Sequence, residues 1–393
     1  MKVLLVSESY WPNADGGALF ERRLVLGLIG RTNDVSVWAP GPRFKSYDEQ
    51  DGPYVIHREK GVVFLANRKY KVSFFPFFKA RQVLRAEKPD IIHIHNTYWM
   101  GLFMMFWGKV YGVPVLATNH FMPENALLNL KGTDILYKPL ERLIWSFLVW
   151  FHNRADFVTS PTPTAVKLLV DHGLKAPHEP ISNGIDTAVF KPGLDAAAVI
   201  AKYGIATDRP VLIYVGRLDG EKRLDLIVSA LPLIISQQSV QLVMVGFGKA
   251  MANLRSQAAK LGVADDIVFT GYIEEAEKPI IYNAATVFVI SSPAELQSIV
   301  TLEAMATGLP IISVDIAALS ELCHDGENGY LFPADDFAAL ADRVSKLLPD
   351  KERLSLFGAE SIKIVQDHHS TDVMFENYET AYKRAIKHQK ERK

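Results

Sequence analysis

Ser291-Ser292-Pro293-Ala294-Glu295-Leu296-Gln297-Ser298-Ile299-Val300-Thr301-Leu302-Glu303-Ala304-Met305-Ala306-Thr307-Gly308-Leu309-Pro310 leaves one apolar strand, Thr286 to Ser291, and delivers the chain to another, Pro310 to Val314. Between them the pattern predicts a loop and then a helix that begins near Ser298. Gly308-Leu309-Pro310 stops that helix, because a glycine and a proline together end helical hydrogen bonding. Apolar strands separated by helices predict a parallel sheet covered on both faces. The stretch places one carboxylate, Glu295, in the loop after a strand, and a second, Glu303, further along the helix. Each can accept hydrogen bonds from a separate set of hydroxyls, as on a sugar and a ribose. The backbone N–H groups of Ile299 and Val300, at the positive end of the helix dipole, suit a phosphate between them.

The same rhythm runs from end to end. The first half gives strands over Lys2 to Ser7, Asp34 to Ala39, Asp90 to His95, Pro114 to Asn119, Ala155 to Ser160 and Glu179 to Asn183, with helical patterns that include Gly17 to Gly30 and Leu136 to Phe151. The second half restarts with Pro210 to Gly216, Val240 to Gly246, Ile267 to Tyr272, Thr286 to Ser291, Pro310 to Val314 and Tyr330 to Phe332. A chain of 393 residues suits two domains. The break falls near Lys191, in a segment holding Gly184, Pro192 and Gly193. The expected division is an acceptor-side domain over 1–190, a nucleotide-sugar domain over 191–370, and a C-terminal helix over 371–393 that packs back on the first. Open α/β sheets bind ligands beyond the carboxyl ends of their strands, so two such domains facing each other form a cleft with strand ends on both walls.

Two of those strand ends carry further signals. Ser7-Glu8-Ser9-Tyr10-Trp11-Pro12-Asn13-Ala14-Asp15-Gly16-Gly17 precedes a helix, and Gly16 and Gly17 let backbone N–H groups approach an anion; a plain tight turn is the alternative. The loop is neither a Gly-x-Gly-x-x-Gly nor a Walker loop, which points away from nicotinamide cofactors and nucleoside triphosphatases. In Tyr214-Val215-Gly216-Arg217-Leu218-Asp219-Gly220-Glu221-Lys222-Arg223 a buried strand delivers Gly216 and Arg217, and Lys222 opens the next helix. Two cations there are placed to grip a diphosphate. A solvated charge run is the bland reading, and the position after a strand favours the functional one.

The run from Glu295 to Pro310 resembles the Glu-x7-Glu motif of retaining glycosyltransferase family 4, which has the GT-B fold. The Gly-Gly loop, Ser182-Asn183-Gly184-Ile185-Asp186, Val215-Gly216-Arg217, Val245-Gly246-Phe247-Gly248 and Phe269-Thr270-Gly271-Tyr272 match in the family's order over nearly the whole chain. The resemblance implies that Glu295 binds donor-sugar hydroxyls and Glu303 the ribose. It implies that Arg217 and Lys222 neutralise the leaving diphosphate, that Gly17 approaches the donor, and that main chain near Tyr272 and Ile273 contacts the base. His120 matches the family's histidine near the donor sugar; a histidine that merely caps a strand end is the alternative. His93 and His95 alternate on a strand and read as structural. Two positions depart from the family: Ser298 stands where it often has Gly, and Phe247 replaces an acidic residue. Glu295-x-Gln297 is reminiscent of the branch that glycosylates diacylglycerol.

Two carboxylates alone also suit a glycosidase, but hydrolysis of a simple glycoside needs no cationic grip, whereas a departing diphosphate does. A sugar-nucleotide epimerase of the same fold and a non-catalytic nucleotide-sugar-binding protein are the other readings. No His, Cys or Asp cluster has metal-ligand spacing, and neither cofactor nor metal is expected; the sugar nucleotide, a UDP-hexose ahead of GDP-mannose, is a substrate. The net charge of -1 gives no sign of a nucleic-acid partner. Charge is uneven, with 22 Lys and Arg against 16 Asp and Glu over residues 1–182, a net of +6, and 21 against 28 over 183–393, a net of -7. The segment 69–85, Lys69-Tyr70-Lys71-Val72-Ser73-Phe74-Phe75-Pro76-Phe77-Phe78-Lys79-Ala80-Arg81-Gln82-Val83-Leu84-Arg85, interleaves cations with aromatics. It suits an anionic membrane surface and a lipid acceptor, or else fills the core. One cysteine, Cys323, and a short apolar start predict a cytoplasmic protein, at most peripheral on the inner face of a membrane.

Overall fold

The structure, a computed structural model, describes residues 1–12, 16–63, 71–123 and 134–392. The chain divides into two compact units, Met1–Ser182 with Met374–Lys393, and Asn183–Val373. The boundary expected after residue 190 therefore falls inside the second unit. The segment ahead of it is tied there: the Asn183 N–H donates to the Gln297 side chain at 2.8 Å, and the Ile185 N–H to the His369 carbonyl at 2.7 Å.

In the first unit the strands are β1 (Lys2–Val6), β2 (Asp34–Gly41), β3 (Tyr47–Asp51), β4 (Tyr54–Lys60), the short antiparallel pair β5 (Val62–Val63) and β6 (Lys71–Val72), then β7 (Ile91–Ile94), β8 (Val115–Thr118), β9 (Phe157–Ser160) and β10 (His178–Pro180). The main sheet runs β10-β9-β8-β7-β1-β2-β4-β3, parallel except for β3. The central strands are apolar because both faces are buried. The C-terminal helix, Thr371–Glu391, buries Met374, Tyr378, Tyr382 and Ala385 in the same core as Leu24, Val25 and Leu28. Gly27 permits the approach: a Cβ there would lie 1.9 Å from the Phe375 ring.

The second unit holds β11 (Val211–Val215), β12 (Gln241–Val245), β13 (Ile267–Gly271), β14 (Val287–Ile290), β15 (Ile311–Val314) and β16 (Gly329–Phe332). All are parallel, in the order β13-β12-β11-β14-β15-β16. Among the parallel strands the order reverses beside β1 and β7 in the first sheet and beside β11 and β14 in the second. Such switch points open a crevice at the strands' carboxyl ends.

Phe74, Phe75 and Phe78 are exposed, while Ala80, Val83 and Leu84 of the helix Phe77–Glu87 are buried. Those three aromatics are therefore not core. Trp145 is buried, and Phe147 and Trp150 are exposed. Lys69 and Tyr70 lie outside the described residues. Among the described residues no helix is long and apolar enough to cross a membrane.

Candidate active site

At the second unit's switch point, β11 ends at Gly216-Arg217 and β14 at Ser291-Ser292. The Ser291 hydroxyl donates to the carbonyls of Lys222 at 3.0 Å and Arg223 at 2.8 Å, which ties the two loops together. Lys222 closes a 3-10 turn, Gly220–Lys222, ahead of the helix Leu224–Ile235 rather than opening that helix. Its ammonium donates to Glu295 Oε1 at 2.7 Å, and both side chains are mostly buried. Arg217 is exposed and ion-paired on its own loop with Asp219 and Glu221.

Ser298 caps the helix Ile299–Ala306, its hydroxyl accepting from the Thr301 N–H at 3.3 Å and the Thr301 hydroxyl at 2.8 Å. Its φ of -85° needs no glycine, so the departure from the family's usual residue supplies an N-cap instead. Further along, Glu303 is 5% exposed. Its Oε2 accepts from the Tyr282 hydroxyl at 2.8 Å, and its Oε1 lies 3.7 Å from Lys278 Nζ. Burial opposes charge on Lys278, but Glu303 and Glu275 outweigh it and hold the ammonium's pKa above its ordinary value.

A cavity of about 210 Å³ opens beside these groups, with Gly216, Arg217, Tyr272, Ile273, Lys278 and Val300 on its wall. Gly246 belongs to it for a backbone reason: its φ is +123°, and a Cβ would lie 2.0 Å from the Gly216 carbonyl. Phe247, uninformative in the sequence, faces Tyr272 with ring centroids 6.5 Å apart. Lys278, Glu275 and Tyr282 were missed. Lys278 hides in the charge run Glu274-Glu275-Ala276-Glu277-Lys278. The available signal was its place just beyond β13, where Glu274 and Glu277 form a capping box.

The first unit's switch point is built otherwise. Gly16 and Gly17 open the exposed start of the helix Gly16–Gly30; Asn13, Ala14 and Asp15 lie outside the described residues. Beyond β1, the Glu8 N–H donates to Asn96 Oδ1 at 2.7 Å, and Glu8 Oε1 accepts from the Met100 N–H at 2.6 Å. Burial pushes the Glu8 carboxyl up to about 7 against hydrogen bonds from the Met100 and Ser73 backbone. His93, His95 and His120 form a row: centroids are 4.0 Å apart for His93 and His95, and 5.6 Å for His95 and His120, which stack with nearly parallel planes. His93 is bonded to the Tyr382 hydroxyl at 2.8 Å and to Thr118 Oγ1 at 2.7 Å. Burial depresses all three imidazoles, His120 to about 4. His120 also meets Phe20 edge-on at 5.1 Å.

The structure thus brings Lys222 to Glu295, and sets Gly216, Arg217, Tyr272, Ile273 and Val300 around one cavity. Glu303 and Ser298 lie on the helix beside it. Gly16, Gly17 and His120 lie in the first unit. Among the described residues no group of three or more His, Cys, Asp or Glu is placed to hold a metal ion.

Residues 14–189 match the family described as Glycosyltransferase Family 4, and residues 195–363 the family described as Glycosyl transferases group 1. The chain is 27% identical over 338 residues to an alpha-monoglucosyldiacylglycerol synthase of Streptococcus pneumoniae, covering 84% of this chain and 75% of that one. It is 26% identical over 372 residues to a GDP-mannose-dependent alpha-mannosyltransferase of Corynebacterium glutamicum, covering 93% and 85%. Its structure matches a sucrose-phosphate synthase of Thermosynechococcus elongatus with a TM-score of 0.78 at 20% identity, covering 98% of each chain. The fold is the GT-B fold that the resemblance implies.

Proposed function

We propose that this chain, which belongs to glycosyltransferase family 4, moves a hexose from a nucleotide-diphosphate sugar to a lipid or glycan hydroxyl with retention of anomeric configuration. The observation that carries this reading is the pairing of Lys222 with Glu295 at 2.7 Å, beside Glu303 with Lys278 and Tyr282, at one sheet's switch point. Lys222 and Arg217 bind the diphosphate, where negative charge develops as it leaves. Glu295 takes sugar hydroxyls, and Glu303 takes the ribose hydroxyls with Lys278 and Tyr282 beside it. The base lies along Phe247, Tyr272 and Ile273. His120 contacts the donor sugar, and the Gly16-Gly17 helix start approaches the donor.

The acceptor hydroxyl attacks the anomeric carbon on the face the diphosphate leaves. A glycosidic C–O bond forms, the bond to the phosphate oxygen breaks with its electron pair going to the diphosphate, and the hydroxyl proton passes to that phosphate. No cofactor or metal is assigned a role. The exposed Phe74, Phe75 and Phe78, with Lys79, Arg81 and Arg85 on the same segment, suit an anionic membrane surface, which favours a lipid acceptor. On this reading the enzyme works in the cytoplasm, peripheral on the inner face. Kinship with synthases and transferases leaves the epimerase and the non-catalytic readings unfavoured.

The test is a screen of sugar nucleotides, UDP-hexoses first and then GDP-mannose, with and without lipid extract. One donor is expected to release its nucleoside diphosphate faster with acceptor, and NMR of the product to show the donor's anomeric configuration. An inverted product would sink retention, a free epimerised sugar would restore the epimerase, and no turnover would leave a binding protein.

A further inference from the structure

We infer that Ser291 is a positioning residue: it holds the Lys222 ammonium against Glu295 by fixing a left-handed kink at Arg223. The inference rests on the transferase reading above, in which Lys222 binds the leaving diphosphate, and names what aims it. Ser291 directly follows β14 and stands four residues before Glu295. It is 2% exposed. A hydroxyl carries one hydrogen. Here that hydrogen is shared between the carbonyls of Lys222 at 3.0 Å and Arg223 at 2.8 Å. The loop that carries one member of the Lys222–Glu295 pair therefore grips the backbone of the other.

The kink is where the backbone needs holding. Lys222 ends the 3-10 turn, its N–H donating to the Asp219 carbonyl at 3.0 Å. Arg223 then has φ +50° and ψ +38°, and the helix Leu224–Ile235 begins at the next residue. Residues with a Cβ rarely adopt that conformation, and it persists where the surroundings impose it. The Arg223 N–H donates to the Gly220 carbonyl at 3.2 Å, and the Arg223 carbonyl accepts from Ser291 and from the Leu226 N–H at 3.1 Å. The Arg223 guanidinium pairs with Asp225 and Asp335, whose side chains are half or more exposed. Exposed pairs restrain little, so the buried hydroxyl is the firmer hold. A return of Arg223 to negative φ would turn the peptide between residues 222 and 223, whose carbonyl Ser291 holds. It would swing the Lys222 ammonium off Glu295 and Ser292, which it now meets at 2.7 and 3.5 Å.

The test is a mutant cycle in the full chain with the donor found in the screen. Ser291→Ala should lower kcat about tenfold, a part of what losing the ammonium costs, and leave the donor KM within about twofold, because the grip matters most as charge builds on the leaving group. In a Lys222→Ala background the same change should cost less than about twofold, since no ammonium is left to aim. Arg223→Gly takes the left-handed conformation without a Cβ penalty; alone it should stay within about twofold of wild type, and added to Ser291→Ala it should recover part of the lost kcat. Ser291→Cys, similar in size with a weaker donor, should fall between Ser291→Ala and wild type, and it carries the cycle should the alanine variant not fold. A loss of about tenfold in both backgrounds overturns the inference, because Ser291 then acts other than through Lys222. So does an unchanged kcat in the wild-type background, or a defect that Arg223→Gly leaves untouched. Lys222→Ala as active as wild type sinks the diphosphate grip itself, and a donor that the wild type never consumes sinks the transferase reading; the positioning role falls with either.

Discussion

The two switch points solve opposite problems. In the second unit every functional cation is already paired: Lys222 with Glu295, Lys278 with Glu303, Arg217 with Asp219 and Glu221. In the first unit the groups at the strand ends are buried and shifted towards their neutral forms: a carboxyl at Glu8 pushed up to about 7, and His120 pushed down to about 4. On the proposed reading, a site that binds a diphosphate has to hold charge, and the internal pairs keep that charge compensated until the ligand arrives. On the same reading, groups that meet sugar hydroxyls work through neutral donors and acceptors, and their control is the protonation state.

The widest gap between the two units should appear in kcat. Lys222→Ala removes a fixed cation from the leaving group and leaves the Glu295 carboxylate unpaired beside it. Transfer should fall about 10²–10³-fold, the scale for losing one preorganised transition-state contact. His120→Ala removes a neutral hydrogen bond and should cost about tenfold. Steady-state rates with the same donor check both. Equal losses would mean that the histidine row carries charge during the reaction, and the contrast would fail.

The second test concerns pH and stability. All 6 tryptophans lie at positions 11, 38, 99, 107, 145 and 150, so tryptophan fluorescence follows the first unit alone. An ordinary glutamate titrates at 4.5 and Glu8 at about 7. Between those values the native carboxyl keeps its proton while the unfolded chain has lost it. The native state then binds more protons, so stability falls as pH rises through that window and levels off above about 7. His120 acts in reverse: the unfolded chain binds more protons between about 4 and 6.5, so stability falls as pH drops through that range. Glu8→Gln keeps an acceptor for the Met100 N–H and cannot ionise. From pH 5 to 8 the wild type should lose up to about 3 kcal/mol that the variant retains, measured by urea unfolding. Parallel curves for the two proteins would retire the neutral carboxyl.

The same contrast explains what the sequence made readable. The apolar strands of both sheets stand out because burial on both faces leaves a continuous signal, and each observed β11–β16 strand falls on an expected one. The β3–β4 hairpin went unseen because Tyr47-Asp48-Glu49-Gln50-Asp51 is polar, as a guarded sheet edge tends to be. Its neighbour Arg58 is buried with three acceptors on its guanidinium: Glu49 at 2.8 Å and the carbonyls of Trp11 and Pro40. Likewise Lys222, Glu295 and Glu303 were readable as charges just beyond strands or on the motif helix. Glu8 and His95 were not, because their significance lies in lost solvent, which no spacing records. Nor does spacing distinguish Phe78, 79% exposed, from Trp145, which is buried.

The smallest expected effect bears on whether all of the histidine row is functional. His93 spans from Thr118 to the Tyr382 hydroxyl of the C-terminal helix, and both bonds are buried. Tyr382→Phe removes the hydroxyl and leaves a buried ring nitrogen unpartnered, which costs about 1–2 kcal/mol. The fluorescence-detected transition should shift down accordingly, while kcat and both KM values well below that transition stay close to wild type. This outcome separates His93, which fastens the helix to the sheet, from His95 and His120, which line a cavity beyond β7 and β8. Should Tyr382→Phe instead lower transfer without loss of stability, the ring contacts of His93, His95 and His120 couple the C-terminal helix to His120. The neutral groups would then reach as far as Tyr382.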